Sequence, residues 1–130
     1  MTIVVGYVPR SDGLAALEAA LAEAARRDEP LVVVNAGADA DPRGAGRAQR
    51  RDVEAMCADL ARRGVPVEVR QPARGLAPAD ELLEAVRTCG ARLLVVGLRD
   101  GGRPGSGDTT VVRLLAEAEC DVLVSRFVRG

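Results

Sequence analysis

A chain of 130 residues, 48% of them hydrophobic, is long enough to bury one core, and we predict a single domain over residues 1–130. Its 18 basic and 19 acidic residues leave a net charge of −1, which gives no basis for binding nucleic acid or an anionic membrane. Histidine is absent and every basic residue is arginine, which excludes histidine and lysine catalysis and the phosphate-binding lysine of a Walker motif.

Strand-like and helix-like patterns alternate along the chain. Continuous apolar runs indicate buried strands, and apolar residues three or four positions apart indicate the helices between them. In chain order the patterns predict a strand at Thr2–Tyr7, a helix from Ser11 or Asp12 to Asp28, a strand at Leu31–Asn35, a loop at Asn35–Ala45, a helix at Gly46–Arg63, a strand at Val65–Gln71, a helix at Ala79–Cys89, a strand at Arg92–Gly97, a loop at Leu98–Gly107, a helix from Asp108 or Thr109 to Glu119, and a strand at Cys120–Val128.

This alternation predicts an α/β, Rossmann-like fold: a single-domain open parallel sheet of five strands with helices on both faces. The unbroken apolar runs of the first, second and fourth strands place them inside the sheet. The third strand alternates apolar with polar residues and contains Pro66, which places it at an edge. A strand order of 3-2-1-4-5 satisfies both conditions.

The cysteines and the start of the chain predict a cytoplasmic location. Cys57, Cys89 and Cys120 are odd in number, widely spaced and without a C-x-x-C motif, which favours reduced thiols. The opening apolar run is short and lacks basic residues before it, so we interpret it as a strand and not as a signal peptide.

A ligand crevice is expected where the strand order reverses, between the first and fourth strands, beyond their carboxyl ends. The glycine-rich loop after the fourth strand leads there into a helix, whose first free N–H groups favour an anion such as a phosphate. The candidate nucleotide-binding residues are Gly6, Tyr7, Val8, Pro9, Asn35, Val96, Gly97, Arg99, Gly105, Ser106, Gly107, Thr109 and Thr110.

The sequence leaves the role of Tyr7 in this crevice open and shows no pattern typical of a catalytic or metal site. The Tyr7 ring suits either stacking on a base or packing under the loop. The chain shows no nucleophile–base pair, no paired carboxylates and no metal-ligand spacing, so we predict neither a catalytic residue nor a metal site.

Stretches spread over nearly the whole chain resemble the universal stress protein family, and they occur in the order that this family has. The matching stretches are the opening strand and loop Ile3–Pro9, the start of the first helix Gly13–Leu17, the fourth strand and its exit Ala91–Arg99, and the closing strand Ala118–Val124.

The resemblance extends to part of the family's ATP-binding pattern. Members that bind ATP usually carry an Asp after the first strand, where this chain has Val8, and the motif G-x2-G-x9-G-[ST] after the fourth strand. Gly97 matches the first glycine of that motif, Asp100 replaces the second, and Asp108 and Thr109 stand where Gly-Ser is expected. A carboxylate at Asp108 would repel a phosphate at the helix N-terminus.

The resemblance therefore implies a non-catalytic stress-response protein with an altered nucleotide crevice. The alternative is a universal stress protein that binds ATP or another adenine nucleotide, hydrolyses it slowly and acts as a nucleotide sensor. A third alternative is a flavodoxin-like or receiver-like signalling domain. A receiver is a poor match, since no acidic cluster follows the first strand and the chain has no lysine, and a flavin carrier would be yellow on purification. The resemblance also implies a homodimer through Val122–Phe127, which would be an exposed apolar edge in a monomer.

Overall fold

The computed structural model describes residues 2–7, 11–35, 55, 58–71, 77–98 and 109–126. Its strands form one parallel sheet in the order β3-β2-β1-β4-β5, which confirms the predicted topology. The elements in chain order are β1 Thr2–Gly6, α1 Ser11–Arg27, β2 Leu31–Val34, α2 with described residues 58–62, β3 Val67–Arg70, α3 Pro78–Cys89, β4 Ala91–Leu98, α4 Thr109–Glu117 and β5 Asp121–Arg126.

The three central strands are covered on both faces, because apolar side chains fill successive positions at Ile3–Val5, Leu31–Val34 and Leu93–Val96. Successive residues of a strand point to opposite faces of the sheet. Ile3 and Val5 of β1 lie in the core under α1 and α2, whereas Val4 lies in the core under α3 and α4. All three are completely buried, which explains why these strands read as continuous apolar runs.

The helices bury the stripes that their spacing predicts. Leu17, Leu21 and Ala24 of α1 pack on one face of the sheet, and Leu82 and Val86 of α3 pack on the other. No helix within the described part of the chain is long and apolar enough to cross a membrane.

The third strand occupies an edge, as predicted. Val67 and Val69 pack against the core under α1, and the side chains between and after them, Glu68 and Arg70, point to the opposite face. That face of β3 is polar, as is usual for a strand at the edge of a sheet.

Several boundaries differ from the prediction by one or two residues, and backbone geometry gives the reason in two cases. Helix α1 ends at Arg27 because Asp28 adopts a left-handed conformation with φ of 55°. Val65 is left out of β3 because its N–H donates to the Leu60 carbonyl, 3.3 Å away, and so closes the end of α2. The predicted start of the second helix at Gly46 and end of the last strand at Val128 lie outside the described residues.

Candidate functional site

The carboxyl ends of β1, β2 and β4 meet at one edge of the sheet, where the ligand crevice is predicted. Gly6 pairs with Val34, so β1 and β2 end together, and Val5 pairs with Val95 of β4, which continues to Leu98. Of the candidate residues, five lie at this edge: Gly6, Tyr7, Asn35, Val96 and Gly97. Two more, Thr109 and Thr110, lie in the first turn of α4. The other six lie outside the described residues: Val8, Pro9, Arg99, Gly105, Ser106 and Gly107.

Gly6 allows helix α3 to approach the end of β1 closely. A Cβ atom at this position would lie 3.1 Å from Cδ1 of Leu82, 3.3 Å from Cδ2 of Leu82 and 3.5 Å from Cγ1 of Val96. Contacts of 3.1 Å are tighter than carbon atoms tolerate without a shift of one partner. A larger residue at this position would make the Leu82 side chain shift by a few tenths of an ångström, so the glycine permits the close packing of α3 on the end of β1.

Asn35 joins the ends of three strands through hydrogen bonds. Its side chain is completely buried, and its Nδ2 donates to the backbone carbonyl of Tyr7 at 2.9 Å. Its Oδ1 accepts from Nε2 of Gln71 at 3.2 Å, and its backbone N–H donates to the carbonyl of Arg70 at 2.9 Å. A buried amide that is satisfied on both sides fixes the relative positions of the chain after β1, β2 and β3.

The side chains of Tyr7 and Val96 are part of the core. Tyr7 is 9% exposed and packs under α1, on the face of the sheet away from α3 and α4. Packing is thus the interpretation of Tyr7 that the geometry favours, and its backbone carbonyl is the group that it turns to Asn35. Val96 is 4% exposed and packs under α3 and α4, so any contact of either residue with a ligand would involve the backbone.

A cavity of about 430 Å³ lies between α3 and the carboxyl ends of β2 and β3. Its volume is within the range of small-molecule sites. Two apolar side chains and five polar ones line it: Val34 and Ala85, with Arg70, Gln71, Glu81, Glu84 and Thr88.

The cavity wall contains a guanidinium, that of Arg70, and a buried carboxyl group, that of Glu81. The Arg70 guanidinium is held at one end, where Nη2 donates to Glu68 at 3.1 Å and Nη1 lies 3.5 Å from Oγ1 of Thr88. The hydrogen bond with Glu68 raises the pKa of Arg70 above its ordinary value. Glu81, by contrast, is only 2% exposed, although it carries a carboxyl group.

The sequence analysis did not predict this cavity. A signal was nevertheless present: Glu81, Ala85 and Thr88 recur at helical spacing beside the apolar stripe of α3, and the small Ala85 leaves space next to the sheet. The spacing shows that these residues share a flank of α3, but only the position of the edge strand β3 turns that flank into a cavity wall.

An ion-pair cluster connects α3 to α4 beside the crevice. The guanidinium of Arg113 on α4 donates to Asp80 in the first turn of α3, and its Nε donates to Glu117 at 2.7 Å. The hydrogen bond from Arg113 lowers the pKa of Asp80, and the bond to Asp80 raises the pKa of Arg113. The pair fixes the start of α3 against α4, which is the helix whose N-terminus faces the crevice.

Among the described residues, no group of three or more Cys, Asp or Glu side chains is arranged to hold a metal ion. The polar groups that converge at this edge are backbone carbonyls and amides, the Asn35–Gln71 amide pair and the Glu81 carboxyl group. These groups offer hydrogen-bond donors and acceptors to a polar ligand.

Comparison with known proteins gives consistent matches over most of the chain. The sequence profile of the universal stress protein family matches residues 1–126. A universal stress protein of Mycolicibacterium smegmatis is 47% identical over 100 residues, which are 75% of this chain and 74% of the relative.

Two solved structures have the same fold over nearly their whole length. A universal stress protein in complex with cAMP superposes with a TM-score of 0.72 at 24% identity, covering 98% of each chain. A universal stress protein family protein of Arabidopsis thaliana with AMP bound superposes with a TM-score of 0.64 at 19% identity, covering 98% of this chain and 93% of the other.

Proposed function

This chain belongs to the universal stress protein family, and from that premise we propose that it is a non-catalytic regulatory protein that binds an adenine nucleotide at the carboxyl edge of its sheet. The observation that carries the proposal is the meeting of the ends of β1, β2 and β4 with the start of α4 on one side of the sheet. The solved structures of related fold with cAMP and with AMP bound support an adenine nucleotide.

The phosphate of this nucleotide would lie at the first turn of α4. The first N–H groups of a helix have no partner within the helix and favour an anion. Asp108 precedes this turn in the sequence and repels negative charge. Because the repulsion grows with the number of phosphate charges, we expect AMP or cAMP to bind more tightly than ATP.

The proposal is tested by isothermal titration calorimetry of the purified protein with AMP, cAMP and ATP. We expect micromolar affinity for a monophosphate and weaker affinity for ATP. Thr110→Glu adds a carboxylate to the first turn of α4, where it suits the helix dipole but repels the phosphate. It should abolish binding and keep the fold, whereas Ala116→Glu, at an exposed position later in the same helix, should bind like the wild type.

Two results would count against this proposal. If none of the three nucleotides gives heat, the proposal that the protein binds an adenine nucleotide is wrong. If Thr110→Glu binds as tightly as the wild type, the phosphate does not lie at the first turn of α4. Release of inorganic phosphate from ATP above the rate in buffer would instead make the protein a hydrolysing nucleotide sensor, which is the alternative function.

We also propose a cytoplasmic location and a homodimer. Cys89 and Cys120 are free thiols, and burial raises the pKa of Cys120, which makes it a poor nucleophile. Free thiols suit a reducing compartment. The homodimer is supported by the position of β5 at the end of the sheet and by two exposed apolar residues of α4, Val112 and Leu115.

A further inference from the structure

The cavity between α3 and the ends of β2 and β3 lies on the same face of the sheet as α4, and this placement suggests how a nucleotide would be oriented. Val34 in the cavity and Val96 at the end of β4 both belong to the core under α3 and α4. One strand, β1, separates β2 from β4. Two strand spacings are about 10 Å, a distance that a nucleotide can span.

The charges of the cavity decide which end of the ligand it takes. Glu81 and Glu84 place two carboxyl groups in its wall, and Arg70, the one guanidinium among the described lining residues, is already bonded to Glu68. Among the described lining residues, a phosphate would therefore meet two carboxyl groups and one guanidinium that already pairs with a carboxylate. The phosphate therefore belongs at α4, and the uncharged nucleoside belongs in the cavity.

The apolar part of the wall fits the same orientation. Val34 and Ala85 give the cavity an apolar floor on which a base can lie. Gln71 is held beside it through its hydrogen bond to the buried Asn35. An apolar floor with a few fixed polar groups is the usual composition of a site for a small organic ligand.

We propose that Glu81 is a specificity-determining residue of the nucleotide site: its buried carboxyl group lines this cavity and accepts a hydrogen bond from a donor group of the bound nucleoside. The inference rests on the proposed function. The donor is either a ribose hydroxyl or the exocyclic amine of adenine, which share this chemistry. Because a buried acceptor that loses its donor is costly, the residue selects ligands that carry the donor over ligands that lack it.

The test compares AMP binding by three variants in the calorimeter. Glu81→Met removes the acceptors at nearly constant volume, Glu81→Gln keeps one of them, and Glu84→Met changes the other carboxyl group of the same wall. We expect Glu81→Met to weaken AMP binding by at least about tenfold, Glu81→Gln to weaken it less, and Glu84→Met to change it little.

Two analogues identify the donor. 2′-Deoxy-AMP lacks a ribose hydroxyl, and inosine monophosphate carries a carbonyl in place of the amine. The wild type should discriminate against one of them, and Glu81→Met should bind that analogue and AMP with similar affinity. Loss of this selectivity is a result that a merely structural role of Glu81 would not produce.

The possible failures are distinguishable. If the wild type binds no adenine nucleotide, the proposed function is wrong and the role of Glu81 falls with it. If the wild type binds AMP and folded Glu81→Met binds it equally well, only the assignment of Glu81 is overturned. If thermal denaturation shows that Glu81→Met is unfolded, Glu81→Gln decides: wild-type affinity and wild-type selectivity in this variant would also overturn the assignment.

Discussion

Asn35 shows how a single side chain defines the edge of the sheet on which the site is built. Its side-chain amide is completely buried and hydrogen-bonds both to the backbone carbonyl of Tyr7 and to the side-chain amide of Gln71. A hydrophobic residue here would fill the space but would leave the Tyr7 carbonyl without this donor. The amide is suited to the position because it offers a donor on one side and an acceptor on the other.

We predict that Asn35→Asp destabilises the protein by about 3 kcal/mol at pH 7, because an acceptor then faces the Tyr7 carbonyl in a buried site. Burial raises the pKa of the introduced carboxyl group in the folded state, so the folded state binds more protons than the unfolded state. Stability therefore falls as pH rises, and the loss should shrink as pH is lowered toward 4. Urea denaturation at several pH values measures this.

Gln71→Met is the matched control for Asn35→Asp. It removes one hydrogen bond, at 3.2 Å, from a half-buried side chain and should cost about 1 kcal/mol, with little dependence on pH. Wild-type stability of Asn35→Asp at neutral pH would contradict the structural role of the amide.

At the level of residues, the sequence predicts only part of the site. Gly6, Gly97 and Asn35 are identifiable because each follows the clear apolar run of a strand. The burial of Tyr7 on the α1 face follows from its alternation with Ile3 and Val5, but only once the faces of the sheet are known. The cavity at Glu81 depends on the distance between α3 and β3, which no local pattern contains.

The helices and strands themselves are predictable because local chemistry marks their ends. Gly90 ends α3 in the left-handed conformation, with φ of 62°, and Pro78 begins the same helix. Asp28 adopts a similar φ without being glycine, so the end of α1 carries no comparable signal. Long-range contacts between helices, such as the one between Arg113 and Asp80, have no signal in the spacing of either helix.

The contact between α3 and α4 gives a prediction that depends on pH. In the folded state Arg113 lowers the pKa of Asp80, so this pair stabilises the fold above the ordinary pKa of 3.8 and loses its effect as pH falls through the lowered value. We expect Arg113→Met to be modestly less stable than the wild type at pH 7. The difference should be much smaller at pH values below the lowered pKa, when urea midpoints are compared.

Arg26→Met is the control for the contact between α3 and α4. Arg26 pairs with Glu23 inside α1 at 2.5 Å and connects no two elements, so its loss should matter less at neutral pH. A difference between Arg113→Met and the wild type that stays the same from pH 7 to below the lowered pKa of Asp80 would mean that Arg113 stabilises the fold by packing and not by charge.

At the level of the whole molecule, the strand order was predictable because burial of each strand restricts its place in the sheet. The apolar strands β1, β2 and β4 must lie inside the sheet, where helices cover both faces, and the alternating strand β3 must lie at an edge. Few orders of a parallel sheet satisfy both conditions. The same argument leaves β5 at the other edge although Val122, Leu123 and Val124 are apolar. An apolar strand at an open edge is a site for pairing with another chain.

Helix α4 carries exposed apolar residues beside this edge of the sheet. Successive helix residues are about 100° apart, so Val111 and Leu114 face the core, and Arg113 lies on the flank toward α3. Val112 and Leu115 then lie on the opposite flank, beside β5, where they are 63% and 57% exposed. We expect the edge strand and this flank of α4 to form the surface that a second copy of the chain covers by twofold symmetry.

We predict that sedimentation equilibrium gives the wild type twice the chain mass of 13.6 kDa and gives Leu115→Glu the mass of a single chain. A carboxylate on this flank would be buried against its own symmetry mate, which costs far more than the exposed substitution costs the monomer. Ala116→Glu lies one residue further, on the side of α4 away from the sheet, and should remain dimeric. A wild type of 13.6 kDa at micromolar concentration, or a dimeric Leu115→Glu, would mean that this flank is not the interface.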